Sequence, residues 1–313
     1  MEPDLPTNPP VPPSGTALPP DGFLSTIFLK NDGLRTGWRL LLYAFFVEAL
    51  KYSGLFLASA FIPFVNGISP LVFGFAYELA SFLVVFAAAA IMAQIEKRPV
   101  GAYGLPLRGA FRGLFWQGCV FGLIEVSAVV SLMAIFGGYS FGSLALHGGA
   151  IILWGAAWAV GFLVVGFYEE FAFRGYSQFT LGEGIGFWPA AVILSAVFGL
   201  MHRSNPGENS IGLAGVMLVG LFWSFTLRRT GNLWFAVGMH AGFDFGETFV
   251  FSVPNSGLVL PGHLSNATLQ GPTWLTGGTV GPEASVFDFA IIVVFFFVFN
   301  WIYPARSAHE AQP

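Results

Sequence analysis

The sequence predicts an all-α protein: a polytopic membrane helix bundle of about eight transmembrane helices, with both termini on the cytoplasmic side. Three observations carry this reading. The 313 residues are 55% hydrophobic and only 10% charged, more apolar and less charged than a water-soluble domain needs to build one core. Several windows, among them Leu40 to Phe61 and Val286 to Tyr303, approach or exceed the roughly 20 mainly apolar residues that cross a bilayer. The thirteen Lys and Arg residues also alternate between connections instead of spreading evenly.

Taken in order, the chain opens on a Pro-rich stretch, Met1 to Pro20, with no apolar core. Residues 1–30 therefore read as a disordered tail with no signal peptide. The first three spans are expected over Trp38 to Phe61, Leu71 to Ile95 and Phe111 to Phe136, forming an N-terminal transmembrane region within 31–150. Five more follow within 151–303: Ile151 to Gln178, a short one from Pro189 to His202, Ile211 to Leu227, Leu233 to Val253, and Val286 to Tyr303. A Gly-rich connection from Pro254 to Ser285 separates the last two, and a short tail, 304–313, ends the chain.

The charges test this count. Lys30, Arg35 and Arg39 precede the first span, and Lys97, Arg98, Arg108 and Arg112 lie between or near the second and third. Arg228 and Arg229 follow the sixth and Arg306 the eighth, while only Arg203 breaks the alternation. Cytoplasmic connections carry the excess of Lys and Arg, which places both termini there. Trp38, Trp188, Trp301 and Tyr303 fall at span ends, where amphipathic rings favour the headgroup layer.

Several functions are disfavoured at once. A formal charge of −4 with scattered basic residues does not suit a nucleic-acid partner. The single cysteine, Cys119, permits no disulfide within the chain and sits in an apolar stretch, where it packs. There is no G-x-S-x-G around a nucleophile and no phosphate-binding loop. The triplet Asn266-Ala267-Thr268 matches a glycosylation acceptor, a pattern common by chance.

Ionisable side chains inside spans are costly, so each calls for a reason. The fourth span reads Phe167-Tyr168-Glu169-Glu170-Phe171-Ala172-Phe173-Arg174. Residues four apart share a helix face, so Glu170 pairs with Arg174, while Glu169 projects about 100° away and is left free. An isolated pair of this kind is ordinarily a brace between helices. Two further spacings alter that balance: Phe198 lies four residues before His202 at the end of the fifth span, and His240 four before Asp244 in the seventh. At 1.5 Å rise per residue, Glu169 lies about 13 Å from Gln178 and His240 about 11 Å from Leu233, a common level. His202, about 20 Å from Pro189, reaches it only through tilt, a later helix start or a deep cavity.

Such groups suit hydrolysis by an activated water, which needs a base, donors for a developing oxyanion and shelter from bulk solvent. Glu169 is the candidate base, with His202 sharing the proton. Glu169, His202 and His240 could instead ligate zinc, with Asp244 as a further ligand or as the partner of an imidazole. Against zinc stand the absence of H-E-x-x-H and of any compact Cys and His cluster.

Together, Glu169-Glu170-x-x-x-Arg174, Phe198-x-x-x-His202 and His240-x-x-x-Asp244 resemble the motifs of the CAAX prenyl protease and bacteriocin-processing family. The match covers roughly Ile151 to Val253. The resemblance implies an intramembrane glutamic endopeptidase in which Glu169 and His202 activate water and His240 with Asp244 stabilises the oxyanion. Glu170 and Arg174 would be the supporting pair, with Phe198 packing the site. The family's third motif ends in Asn or Asp; an ionised Asp accepts hydrogen bonds and repels an oxyanion, so Asp244 suits orienting His240, or acting when protonated. The expected substrate is a peptide or membrane protein, with membrane lipid as surroundings, no nucleic acid, and no cofactor unless zinc is used. Prenylated substrates are not implied by these residues.

The site is expected to open toward the cytoplasm, and the compact loops suggest a bacterial inner membrane. Two other classes compete: a catalytically silent membrane protein that binds a partner or confers resistance, and a proton-coupled transporter using Glu48, Lys51, Glu78 and Glu125.

Overall fold

In hydrocarbon every backbone donor and acceptor has to be satisfied within its own segment, so long apolar runs become helices. The computed structural model describes residues 29–30, 33–59 and 69–305. The tail expected over 1–30 lies almost wholly outside these residues, as do Arg306 and most of the C-terminal tail. Helix α1 spans Thr36–Ser59, α2 Pro70–Ile95, α3 Gly113–Ile135, α4 Gly149–Arg174 and α5 Tyr176–Ile185. These are followed by α6 Phe187–Met201, α7 Ser210–Thr230 and α8 Trp234–Phe245, which runs into a π-helical turn, Gly246–Val250. One turn, α9 Thr273–Thr276, precedes α10 Val286–Ile302. Two short antiparallel pairs complete the described structure: β1 Leu29–Lys30 with β2 Gly33–Leu34, and β3 Tyr139–Ser140 with β4 Thr268–Leu269.

The protein is an integral membrane helix bundle. Among the described residues, five runs are long and apolar enough to cross a membrane: α1, α2, α3, the combined α4–α5 run Gly149–Ile185, and α7; α10 is a shorter apolar helix. Large side chains such as Phe56, Leu153 and Phe297 face outward, as apolar residues do when the solvent is lipid.

The expected segments all appear as helices, with two changes. The fourth does not continue from Ile151 to Gln178, because the helix stops at Arg174 and α5 begins at Tyr176. Gly175 makes the junction, and a Cβ there would sit 2.3 Å from the Phe171 carbonyl oxygen. The seventh changes character after Phe245, where Phe251 N–H donates to the Gly246 carbonyl across five residues at 2.8 Å. Such π-turns concentrate at functional sites.

A seam of four glycines seats α8 against α3. A Cβ on Gly118 or Gly122 would lie 2.1 Å from the carbonyl oxygens of Phe235 and Met239 respectively. Reciprocally, a Cβ on Gly238 or Gly242 would lie 2.1 Å from the Phe115 oxygen and 2.4 Å from that of Cys119. Small residues spaced four apart let helix backbones touch, the usual device where lipid supplies no hydrophobic drive between helices.

The two ends of the bundle differ. At one end Arg39 of α1 donates to both oxygens of Glu96, at 2.8 and 2.5 Å, and Tyr103 and Tyr176 donate to the same carboxylate at 2.7 and 2.5 Å. Glu183 pairs there with Arg39 and Arg98. Burial works against the Glu96 charge, but the bonds from Arg39, Tyr176 and Tyr103 outweigh it and hold the carboxyl below its usual range. Arg229 and the far end of α10 meet at this end too, through Asn300. The opposite end is built from the β3–β4 pair and the long connection after the π-turn.

Candidate active site

The fourth helix reaches the middle of the bundle with two adjacent carboxylates, and the protein treats them differently. Glu170 and Arg174 are fully buried, and Arg174 Nη1 donates to Glu170 Oε1 at 3.2 Å. The guanidinium lies 4.3 Å from the Phe198 ring centroid, 5.4 Å from that of Trp223 and 5.8 Å from that of Phe173. Three aromatic faces and one carboxylate thus take the place of water around a buried cation. The slot also needs Gly220, where a Cβ would lie 2.3 Å from Arg174 Nη2.

Glu169, on the neighbouring face of α4, lines a cavity of about 580 Å³ instead. His202, His240, Asp244, Phe198 and Trp223 line the same cavity. All four residues expected to be catalytic therefore meet one space, while Glu170 and Arg174 stand behind it. His202 joins the others by lining the same cavity from a position just past the end of α6. The α-helix ends at Met201, and His202 opens a 3-10 turn, with Nδ1 donating to the Phe198 carbonyl at 2.9 Å. A carbonyl only accepts, so the proton sits on Nδ1 and Nε2 is left for other partners.

His240 is the hub of the site. Its Nδ1 lies 3.1 Å from Glu170 Oε1, so the buried pair orients the ring from behind. Its Nε2 lies 3.6 Å from Glu169 Oε2 and 3.5 Å from Asp244 Oδ2. Both separations exceed a direct hydrogen bond and suit partners that share an intervening group. Glu169 is thus not free, as its helical position alone implied, but looks across the cavity at His240. Trp223 of α7 stacks on the imidazole, with ring centroids 4.4 Å apart and planes 15° from parallel. Nothing in its local sequence singles Trp223 out among the apolar residues of α7.

The set that would bind zinc, Glu169, His202 and His240, shares the cavity. Among the described residues, however, no group of three or more His, Cys, Asp or Glu is arranged to hold a metal ion. The donors as placed do not fit that group.

The cavity extends away from the catalytic residues expected from the sequence. Its outer walls come from Ser69, Pro70 and Leu71 at the start of α2, from Trp154 and Trp158, from Asn205, and from the connection at Asn255, Ser256 and Pro261. These belong to the end opposite Arg39, Glu96 and Arg98.

Residues 151–246 match the model of a family described as Rce1-like, type II CAAX prenyl endopeptidase. No curated protein matches the chain, and no solved structure does. The matched stretch runs from the first turn of α4 to the start of the π-turn and contains Glu169, Glu170, Arg174, Phe198, His202, His240, Asp244 and the stacking Trp223. The similarity to the Rce1-like family is therefore carried by this one segment, which holds the residues gathered at the cavity.

Proposed function

We propose that the protein is an intramembrane endopeptidase that hydrolyses a peptide bond with a water activated by Glu169 and His202. The observation that carries the reading is the convergence of Glu169, His202, His240 and Asp244, from three separate helical segments, on one cavity. Glu169 takes a proton from the water as its oxygen bonds to the peptide carbonyl carbon. His240, doubly protonated and held at Nδ1 by Glu170, offers Nε2–H to the developing oxyanion. As the C–N bond breaks, the proton taken up by Glu169 passes to the leaving nitrogen, directly or through His202. The products are a carboxylate and an amine.

Asp244 Oδ2 lies 3.5 Å from His240 Nε2 and favours the protonated imidazole by its charge. An Asp in that place suits orientation of the imidazole better than direct donation to an oxyanion. The walls at Ser69, Pro70 and Pro261 support entry of the substrate from the end opposite Arg39 and Arg98, which with the termini cytoplasmic is the other face of the membrane. A bacterial inner membrane fits the short connections. The reaction proposed uses no cofactor.

The test is cleavage of a peptide and membrane-protein library by purified wild type, Glu169→Gln and His202→Ala, with and without a chelator. Activity that survives chelation and is lost in both folded variants supports the reading. Activity lost on chelation and restored by zinc sinks the glutamate mechanism, and activity retained by Glu169→Gln sinks the assignment of the base.

A further inference from the structure

The cavity is acidic well beyond the groups that the reaction uses. Its described walls carry six carboxyl side chains, Glu78, Glu125, Glu169, Asp244, Glu283 and Asp288, and no Lys or Arg. Glu169 and Asp244 belong to the proposed reaction. Glu125 from α3, Glu283 from the 3-10 turn Pro282–Ala284 and Asp288 from the first turn of α10 form a separate branch. They lie within electrostatic reach of one another, and Glu283 within reach of Asp244.

This branch is built rather than incidental. Glu125 is 1% exposed and Asp288 3%, yet both oxygens of Glu125 and Oδ1 of Asp288 have no hydrogen-bond partner. Glu247, fully buried in the π-turn, adds two more unpartnered oxygens to the same field. Glu283 is aimed by Ser256, whose backbone N–H and hydroxyl donate to it at 2.7 and 2.9 Å. Desolvation, with the charge of Asp244 added, pushes the Glu283 carboxyl up to about 8. Carboxyls gathered in an apolar wall with their oxygens unpaired lack a cation. The neighbouring walls are aromatic, with Phe75, Trp154, Trp158 and Phe162 among them, and suit an apolar flank of the same ligand.

We propose that this acidic branch is a specificity pocket that receives a basic side chain, Lys or Arg, from an otherwise apolar peptide substrate. The inference rests on the peptidase reading for what happens next, but the binding preference stands on the cavity alone. A chain end bearing a free carboxylate would enter walls that carry six carboxyl groups and no Lys or Arg, so the favoured substrate presents an internal or amidated segment.

The experiment measures binding separately from hydrolysis. Purified Glu169→Gln protein is titrated with fluorescent, C-terminally amidated apolar peptides that differ at one scanned position, carrying Lys, norleucine or Glu. At one position Lys should bind about tenfold tighter than norleucine, the scale of a charge-assisted hydrogen bond in a partly dry site, with Glu weakest. Adding Glu125→Gln, alone and with Asp288→Asn, should bring the Lys to norleucine ratio near one, with folding checked by thermal unfolding. Equal binding of Lys and norleucine at every position overturns the proposal, and so does a Lys preference that survives in the folded Glu125→Gln variant. Hydrolysis is scored in parallel with Glu169 intact. Its absence beside a clear Lys preference would count against the peptidase reading and leave the pocket standing.

Discussion

The indole of Trp223 lies flat on the imidazole of His240, centroids 4.4 Å apart, so the ring that bridges Glu170 to the cavity is held on its face as well as at its edge. Trp223→Ala should leave the protein folded and lower kcat about tenfold with a small change in KM, the loss expected when a catalytic ring is free to turn. Trp223→Phe should recover most of the rate. Steady-state kinetics of the three proteins decide it; an Ala variant at full kcat would show that the stack does not position His240.

Removing the charge of Arg174 leaves Glu170 buried beside His240 with its counter-ion gone. Arg174→Met should cost about 3–5 kcal/mol of stability, the scale for breaking a buried pair. Glu170→Gln combined with Arg174→Met should regain much of that. Denaturation of the single and double variants in detergent checks the cycle, and additive losses would mean that the two side chains are not coupled.

The Glu96 cluster predicts an acid limit. A carboxyl held below its unfolded value contributes stability that is complete above that unfolded value, 4.5, and is lost as pH falls through the lower folded one. Unfolding temperature should therefore drop below about pH 4.5. In Glu96→Gln it should begin lower and change less over the same range. Parallel melting curves for the two proteins would expose the error.

Which membrane face holds the cavity mouth can be read with thiol labelling. In a Cys119→Ala background, Ser69→Cys reports on the mouth and Arg108→Cys on the basic end. A membrane-impermeant reagent applied to intact cells should label the first, and reach the second only after lysis. The reverse pattern would put the site on the cytoplasmic side.

Most helices were legible because each needs only local information: an apolar run, its length and its flanking charges. The pairing of Glu170 with Arg174, four apart on one helix, was legible for the same reason. So was the grouping of three polar motifs, since an intramembrane Glu, His and Asp have few reasons to exist apart from one another. Trp223, Glu283 and Asp288 were not legible, because each joins the site only through packing between elements distant in the chain. Ser69 and Pro261 were not legible as walls of the cavity for the same reason.

The seam between α3 and α8 has a mechanical consequence. Each of its four glycines faces a carbonyl of the other helix, so a slide of one turn, about 5.4 Å, would carry at least one carbonyl onto a side chain. The helix that bears His240 and Asp244 is therefore keyed along its axis, as a ratchet pawl is by its teeth. Whatever widening admits a peptide has to be supplied by the other walls of the cavity, the start of α2 and the connection after the π-turn, while the chemistry stays parked in one place.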